Sequence, residues 1–256
     1  MTPVQAIIAK ELRTAFVSPI VYVVGAVFLL IYGFLAYLYV VNAGSQAVRL
    51  MQLQGAAPQL NLNELVFRPT FYSMAIILML VLPILTMRVF AEERKLRTFE
   101  LLMTCPIRMN EVIIGKFLAL LLLYLGMLAL TGIVPLILAT YSSFDWNPIL
   151  TGYIGLVLMG ALFLATGVLA SAMTENQVVA AFLSFGFLLL VWLLGLLGSV
   201  LGDTPVGNTI AYLSFIDHYD RLVRGLVDTK DLIYYLSGIV LMLFFAHRVL
   251  DSQRWK

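Results

Sequence analysis

The chain contains 256 residues, of which 62% are hydrophobic and 12% are charged. A soluble domain carries about twice that fraction of charged residues, and a soluble fold of this length could not bury so much apolar surface. This excludes soluble enzymes, disordered regulators and nucleic-acid-binding proteins, so nucleic acid is not expected as a partner. The composition therefore predicts a polytopic membrane protein.

Residues 1–18 predict a short amphipathic helix that lies in the membrane interface. Their apolar residues recur at helical spacing and charged residues occupy other positions. The apolar set comprises Val4, Ile7, Ile8, Leu12 and Phe16. Because helices usually end before a proline, Ser18 and Pro19 are expected to end this helix and redirect the chain.

Six apolar runs are long enough to cross the membrane as helices, which takes roughly 17–25 residues. They comprise residues 20–41, 71–87, 117–140, 149–173, 178–201 and 232–246. Because these runs do not alternate apolar and polar residues, a membrane β-barrel is not indicated. The sequence predicts one domain over residues 1–256, an all-α polytopic membrane protein with six transmembrane helices.

The distribution of lysine and arginine predicts the orientation of these spans. With six spans both termini share one side, and that side carries eleven cationic residues against five on the other. Cytoplasmic connections are enriched in lysine and arginine. Both termini and residues 88–112 are therefore expected in the cytoplasm.

The predicted spans contain no ionisable residue near their middle. Lys116 falls at the inner end of the third span, where it is expected to extend its amine toward the interface. Ion-coupled carriers generally place a charged group or a broken helix near the midplane. The energy for transport is therefore expected from outside the bilayer, although neutral oxygen ligands keep a sodium-coupled carrier open as an alternative.

The cytoplasmic segment 88–112 has the densest charge in the chain and predicts a short amphipathic helix over residues 92–103. An apolar stripe at helical spacing comprises Leu96, Phe99, Leu102 and Met103. Glu93 and Arg97 are spaced for an ion pair, and Pro106 is expected to end the helix. Such a helix offers a surface to a cytoplasmic partner. The chain lacks a phosphate-binding loop, so nucleotide is expected to bind elsewhere.

Several motifs resemble the coupling region of type-2 ABC exporter permeases, and most closely the gliding-motility-associated branch. The central ones are residues 85–94 (LTMRVFAEER), 98–102 (TFELL), Pro106 and 115–117 (GKF). Weaker similarities comprise residues 18–22 (SPIVY), 224–228 (RGLVD) and 254–255 (RW). The resemblance therefore extends along nearly the whole chain.

This resemblance implies a permease subunit in a bacterial cytoplasmic membrane, paired with a second copy or a paralogue. It also implies a separate cytoplasmic ATPase that binds ATP and Mg, with no cofactor on this chain, and a role in gliding motility or cell-surface export. The implied coupling residues are Glu92, Glu93, Arg97, Thr98, Phe99, Glu100, Leu102 and Pro106. Arg97 is a departure, since the family usually has glycine before the threonine.

Residues 203–230 predict amphipathic helices at the outer side before the last span. Three ion pairs at helical spacing are expected there, Asp217 with Arg221, Asp220 with Arg224 and Arg224 with Asp228. The resemblance implies helices that close the outer end of the path, with gate candidates Phe215, Tyr219, Leu222 and Leu226. No catalytic or metal site is expected.

The remaining connections leave some alternatives open. The polar stretch 42–70 is expected to be a loop, which either receives an extracytoplasmic auxiliary protein or only connects two spans. Membrane lipid is expected to contact the spans. The alternatives to a permease are an integral membrane enzyme acting on lipid head groups, which needs clustered polar residues at a membrane face, and an ion-coupled secondary carrier.

Overall fold

A computed structural model describes residues 2–54, 61–98, 108–202 and 204–252. Over these ranges the regular secondary structure is helical throughout. The helices are α1 (Pro3–Val17), α2 (Pro19–Gln54), a π-helix (Asn63–Phe67), α3 (Arg68–Thr86), α4 (Ala91–Lys95), α5 (Met109–Thr131), α6 (Ile133–Tyr141), α7 (Trp146–Met173), α8 (Gln177–Leu201), α9 (Pro205–Tyr212), α10 (Phe215–Val223) and α11 (Thr229–Ser252).

Six helical segments of the described chain are long and apolar enough to cross a membrane. They are Pro19–Gln52, Asn63–Lys95, Met109–Tyr141, Trp146–Met173, Gln177–Gly198 and Thr229–Ser252. The predicted all-α fold with six spans is therefore confirmed. The interfacial placement of residues 1–18 and the orientation of the spans stay predictions.

Helix α7 is the centre of the bundle. In its most apolar stretch 78% of the residues are buried, against 67% for the second span and 11% for α11. Neighbouring helices approach α7 closely because glycines leave room for their side chains. A methyl group on Gly160 would lie 2.3 Å from the Tyr124 ring, and one on Gly167 would lie 1.9 Å from Thr86 Oγ1.

The length of α2 contradicts one expectation. The predicted loop from residue 42 is wrong for residues 42–54, because α2 continues through them to Gln54. This stretch contains no proline, and its one glycine, Gly44, does not interrupt the helix. At about 1.5 Å per residue a helix of this length exceeds the roughly 30 Å hydrocarbon core, so one end extends beyond the membrane.

Helix α1 begins at a capping box in which the side chains of Thr2 and Gln5 bind each other's backbone amides. It ends at Val17, and Ser18 follows with an extended backbone before Pro19, as expected. Ile7 is buried against Gly115 of α5. This contact places α1 beside the connection that follows α3.

Candidate coupling site

The second span ends in a turn that is held against α7 by one side chain. Ser171 Oγ donates to the carbonyl of Met87 (3.1 Å) and accepts from the amides of Phe90 (3.0 Å) and Ala91 (3.1 Å). A serine hydroxyl has one donor and two acceptor positions, so all its bonding capacity is used here. The start of α4 is therefore bound to the central helix of the bundle.

The amine of Lys116 lies beneath the same turn, with only 3% of its side chain exposed. It donates to the carbonyl of Val89 (2.6 Å), and it lies 2.7 Å from Glu93 Oε1 and 3.4 Å from Glu11 Oε1. The ring of Phe90 is 4.9 Å away and adds a cation–π contact. The amine is therefore enclosed by the Val89 carbonyl and by the partly exposed carboxylates of Glu93 and Glu11, and its expected extension toward the interface stays a prediction.

Glu93 connects this lysine to the N-terminal helix. Its Oε1 also lies 3.3 Å from the amine of Lys10, which lies 3.3 Å from Glu11 Oε1. Burial lowers the pKa of Lys10, but the nearby carboxylates of Glu11 and Glu93 outweigh burial and raise it. The charge cluster of Lys10, Glu11, Glu93 and Lys116 therefore ties α1, α4 and α5 together. Glu93 does not form the predicted pair with Arg97.

Arg94 makes a second connection from α4 to the bundle. Its guanidinium donates to the carbonyl of Ala172 (2.9 Å) at the end of α7 and to Glu175 (3.1 Å) in the following turn. Its side chain is only 17% exposed. Arg94 belongs to the charged segment 88–112 and to the motif over residues 85–94, but neither pattern identifies Ala172 or Glu175 as its partners, and nothing in the sequence predicts the contacts of Ser171.

The helix after the turn ends earlier than predicted. Helix α4 stops at Lys95, and Arg97 has a φ of +55°. A residue in this left-handed conformation cannot continue an α-helix, so an unbroken helix over residues 92–103 is wrong. The glycine that the resemblance implies at this position would adopt the same conformation without a steric cost. Thr98 Oγ1 donates to the Glu93 carbonyl (3.2 Å).

The structure separates the predicted coupling residues into groups. Glu93 faces the protein, whereas Glu92 is half-buried and Arg97 and Thr98 are exposed. Phe99, Glu100, Leu102 and Pro106 lie outside the described residues. Glu93 thus has a structural connection at its carboxylate, and the exposed residues that follow it are the ones available to a partner.

Three of the four gate candidates lie together at the opposite end of the bundle. Phe215, Tyr219 and Leu222 on α10 are 2%, 0% and 0% exposed. Leu226 is 61% exposed, because α10 ends at Val223 and the chain turns through Gly225 at a φ of +88°. Leu226 therefore does not share the buried face of the other three.

Of the three ion pairs expected at α10 and just after it, only Asp220 with Arg224 forms among the described residues. Asp220 binds Arg224 (2.7 Å) as expected, and also Arg68 (3.0 Å) and the hydroxyl of Tyr72. Burial raises the pKa of Asp220, but the hydrogen bonds from Tyr72 and both arginines outweigh burial and lower it. The carboxylate is therefore ionised and connects α10 to the second span.

The expected Asp217–Arg221 pair is replaced by a buried cluster. Arg221 lies 2.5 Å from Asp231 Oδ1, which is 2.6 Å from His218 Nδ1, and both His218 and Asp231 are almost fully buried. His218 Nε2 lies 3.0 Å from the carbonyl of Tyr212. These contacts join α9, α10 and α11. No group of three or more His, Cys, Asp or Glu residues able to hold a metal occurs in the part of the chain that the structure describes.

Replacing Ser171 with alanine tests the turn contacts. The change leaves the buried amides of Phe90 and Ala91 without their hydrogen-bond acceptor, and we expect a loss of about 1–3 kcal/mol in the free energy of unfolding in detergent. Ser184 is a matched control, since its buried hydroxyl has no hydrogen-bond partner among the described residues. Equal losses for Ser171→Ala and Ser184→Ala would contradict the assignment.

A double-mutant cycle tests the buried charge pair. Lys116→Met leaves Glu93 without its closest cation, and we expect a loss of about 3–5 kcal/mol in unfolding free energy. Adding Glu93→Gln is expected to recover at least ~1 kcal/mol relative to the sum of the single losses. Lys95→Met, at an exposed position of α4, the helix that carries Glu93, serves as the control. Additive losses would show that the two charges do not interact.

Comparisons with known proteins agree with this architecture. The family described as ABC-2 family transporter protein has a model that matches residues 5–249. The match includes the first five candidate spans, the sixth up to residue 249, the turn after α3 and α10. A comparison with curated proteins gave no match. Because the family model covers nearly the whole chain, the protein belongs to the ABC-2 family of transporter proteins.

Proposed function

We propose that the protein is the permease subunit of an ATP-driven exporter, coupled through residues 88–112 to a separate cytoplasmic ATPase. Membership of the ABC-2 family supports a membrane transport subunit and argues against a catalytic enzyme. The observation that carries the coupling proposal is the contact of one short segment with three parts of the bundle: Ser171, Lys116 and Lys10 hold residues 87–95 from α7, α5 and α1.

A force on the exposed residues after Glu93 would reach the spans through these contacts. Ser171 and Arg94 connect the segment to the central helix, and Lys116 connects it to the third span. Packed helices transmit such displacements as rigid bodies rather than by continuous deformation. Closure of two ATPase subunits would therefore rock the spans of each permease copy.

A movement of the second span would reach the outer end of the bundle through α10. Asp220 binds Arg68 at the start of α3, and the Tyr219 hydroxyl donates to the carbonyl of Phe71 (3.3 Å). A rotation of the second span would therefore displace α10 together with the buried face formed by Phe215, Tyr219 and Leu222. We propose this face as the outer gate, without Leu226.

The proposed assembly contains two permease copies, or one copy and a paralogue, and two ATPases that hold ATP and Mg. The excess of cationic residues on the side of residues 88–116 supports cytoplasmic termini in a bacterial cytoplasmic membrane. The extension of α2 over residues 42–54 offers a surface for an extracytoplasmic auxiliary protein. Use of the exporter in gliding motility or cell-surface export rests on the sequence motifs alone.

The alternative functions are weaker. A lipid-head-group enzyme needs reactive polar residues at a membrane face, but His218 and Asp231 are buried and bound to each other, and Arg221 is bound to Asp231. An ion-coupled carrier needs ligands near the midplane, whereas Lys116 and Asp231 lie toward the ends of their helices. No observation favours either alternative over the permease.

Replacing Phe99 with aspartate tests the coupling proposal. A charge in the predicted apolar stripe is expected to abolish co-purification of the ATPase while the permease remains inserted in the membrane, as shown by mass identification of the bound chains. Met51→Asp is the control, since Met51 is 55% exposed near the far end of α2. Unchanged ATPase recovery with Phe99→Asp would overturn the proposed coupling segment.

The orientation is testable with Cys105, the single cysteine of the chain. We expect a membrane-impermeant maleimide to label it only after the cells are permeabilised, because we propose that residues 88–112 lie in the cytoplasm. Ser143→Cys combined with Cys105→Ser moves the thiol to an exposed position between α6 and α7, where labelling of intact cells is expected. Labelling of Cys105 in intact cells would reverse the topology.

A further inference from the structure

A cavity of about 610 Å³ lies between α1, the start of α2, the end of α3, α4 and the start of α5. Its volume falls in the range of small-molecule sites, about 300–1,000 Å³. One end is lined by ionisable side chains and the other by aliphatic ones, including Ile20, Leu85, Leu120 and Leu123. The cavity is therefore amphipathic, with its polar end at the turn after the second span.

The cavity exists because the first span separates from the bundle at this end. No residue of α2 before Phe28 is buried. The apolar side chain of Val17 is 79% exposed and the aromatic side chain of Tyr22 is 58% exposed. Leu123 lies two helical turns along α5 from Lys116, about 10 Å at 1.5 Å per residue. The apolar wall therefore extends well into one membrane leaflet from the charged end.

The charges at the polar end balance. The described lining residues include three cations and three carboxylates, which are Lys10, Arg88, Lys116, Glu11, Glu92 and Glu93. Both lysines lie within 3.4 Å of carboxylate oxygens of Glu11 and Glu93. These four side chains neutralise one another and leave one cation and one carboxylate at the cavity.

The cation and the carboxylate that remain are Arg88 and Glu92. Neither forms an ion pair with a described residue, and Arg88 Nε is buried without a hydrogen-bond partner. Both line the cavity and they are four positions apart, with the Glu92 amide bonded to the Arg88 carbonyl (3.4 Å). A guanidinium binds phosphate oxygens well, and a carboxylate accepts hydrogen bonds from a primary ammonium.

We propose that this cavity binds a phospholipid with a phosphoethanolamine head group, with the phosphate at Arg88 and the ammonium at Glu92. The acyl chains would pack against the aliphatic wall. A lipid in this position would fill the gap beneath the first span and contact the turn that carries α4. The inference does not depend on the ATPase, since it concerns only side chains and space within one permease copy.

The charge balance decides between head groups. Cytoplasmic sites for strongly anionic lipids have an excess of basic residues, whereas the described residues that line this cavity carry equal numbers of both signs. A choline head group has no N–H to donate to Glu92, so a primary ammonium is preferred. The aliphatic wall favours a lipid over a free phosphate compound.

Native mass spectrometry of the full chain, purified with equal amounts of phosphatidylethanolamine, phosphatidylcholine and phosphatidylglycerol, tests the proposal. We expect one phosphatidylethanolamine to be retained per copy, and Arg88→Gln to reduce its retention about tenfold. Arg13→Gln, at an exposed position of α1 outside the cavity lining, is expected to have no effect.

Two further variants distinguish the contribution of the head group to lipid binding from that of the acyl chains. Glu92→Gln is expected to remove the preference for ethanolamine over choline while some lipid remains bound. Leu123→Trp fills the apolar end and is expected to displace the lipid, whereas Leu122→Trp, at a neighbouring exposed position outside the lining, is not. Because these changes affect different ends of the cavity, a folding defect in one variant does not decide the result.

Three outcomes would overturn the proposal. Equal retention by the native chain, Arg88→Gln and Leu123→Trp would show that the lipid binds elsewhere. Stronger retention of phosphatidylglycerol would contradict the charge argument. Displacement of the lipid by an equal concentration of glycerophosphoethanolamine, which lacks acyl chains, would show a phosphate site rather than a lipid site.

Discussion

The structure depends most on the buried amine of Lys116. A charge with only 3% of its side chain exposed is stable only when oppositely charged and hydrogen-bonding groups surround it. Glu93, Glu11 and the Val89 carbonyl meet that need, and they come from α4, α1 and the turn after α3. Movement of residues 87–95 away from the bundle would leave this charge exposed or without its partners. These residues are therefore expected to move together with α1 and α5.

The hydrophobic architecture was predictable because it is local. Six apolar runs of about 20 residues identify six helices without knowledge of their partners. The limits of prediction appear where a helix end depends on backbone geometry. Arg97 has good helix propensity, yet its left-handed conformation ends α4 one turn into the predicted helix. Residues 42–54 show the opposite case, because a polar stretch expected to be a loop continues α2 as a helix.

The polar contacts were harder to predict because their partners are far apart in sequence. Helical spacing correctly paired Asp220 with Arg224, but it paired Glu93 with Arg97, whereas Glu93 binds two lysines on other helices. Amphipathic patterning also identified the buried face of α10 while missing its cluster with Asp231. A pattern shows which face is buried, and tertiary packing decides which charge it meets.

The central claim is that the segment after the second span moves as one body with α7. Pulsed-EPR distances between spin labels at Leu96 and Met173, in labelled copies diluted with unlabelled ones and lacking Cys105, test it directly. Leu96 follows α4 and Met173 ends α7, and both are exposed. We predict that this distance stays constant between the nucleotide-free and ATP-bound states of the proposed complex, while the distance between the two copies, measured in undiluted samples labelled at Leu96 alone, shortens. A change in the Leu96–Met173 distance as large as the change between copies would contradict the account.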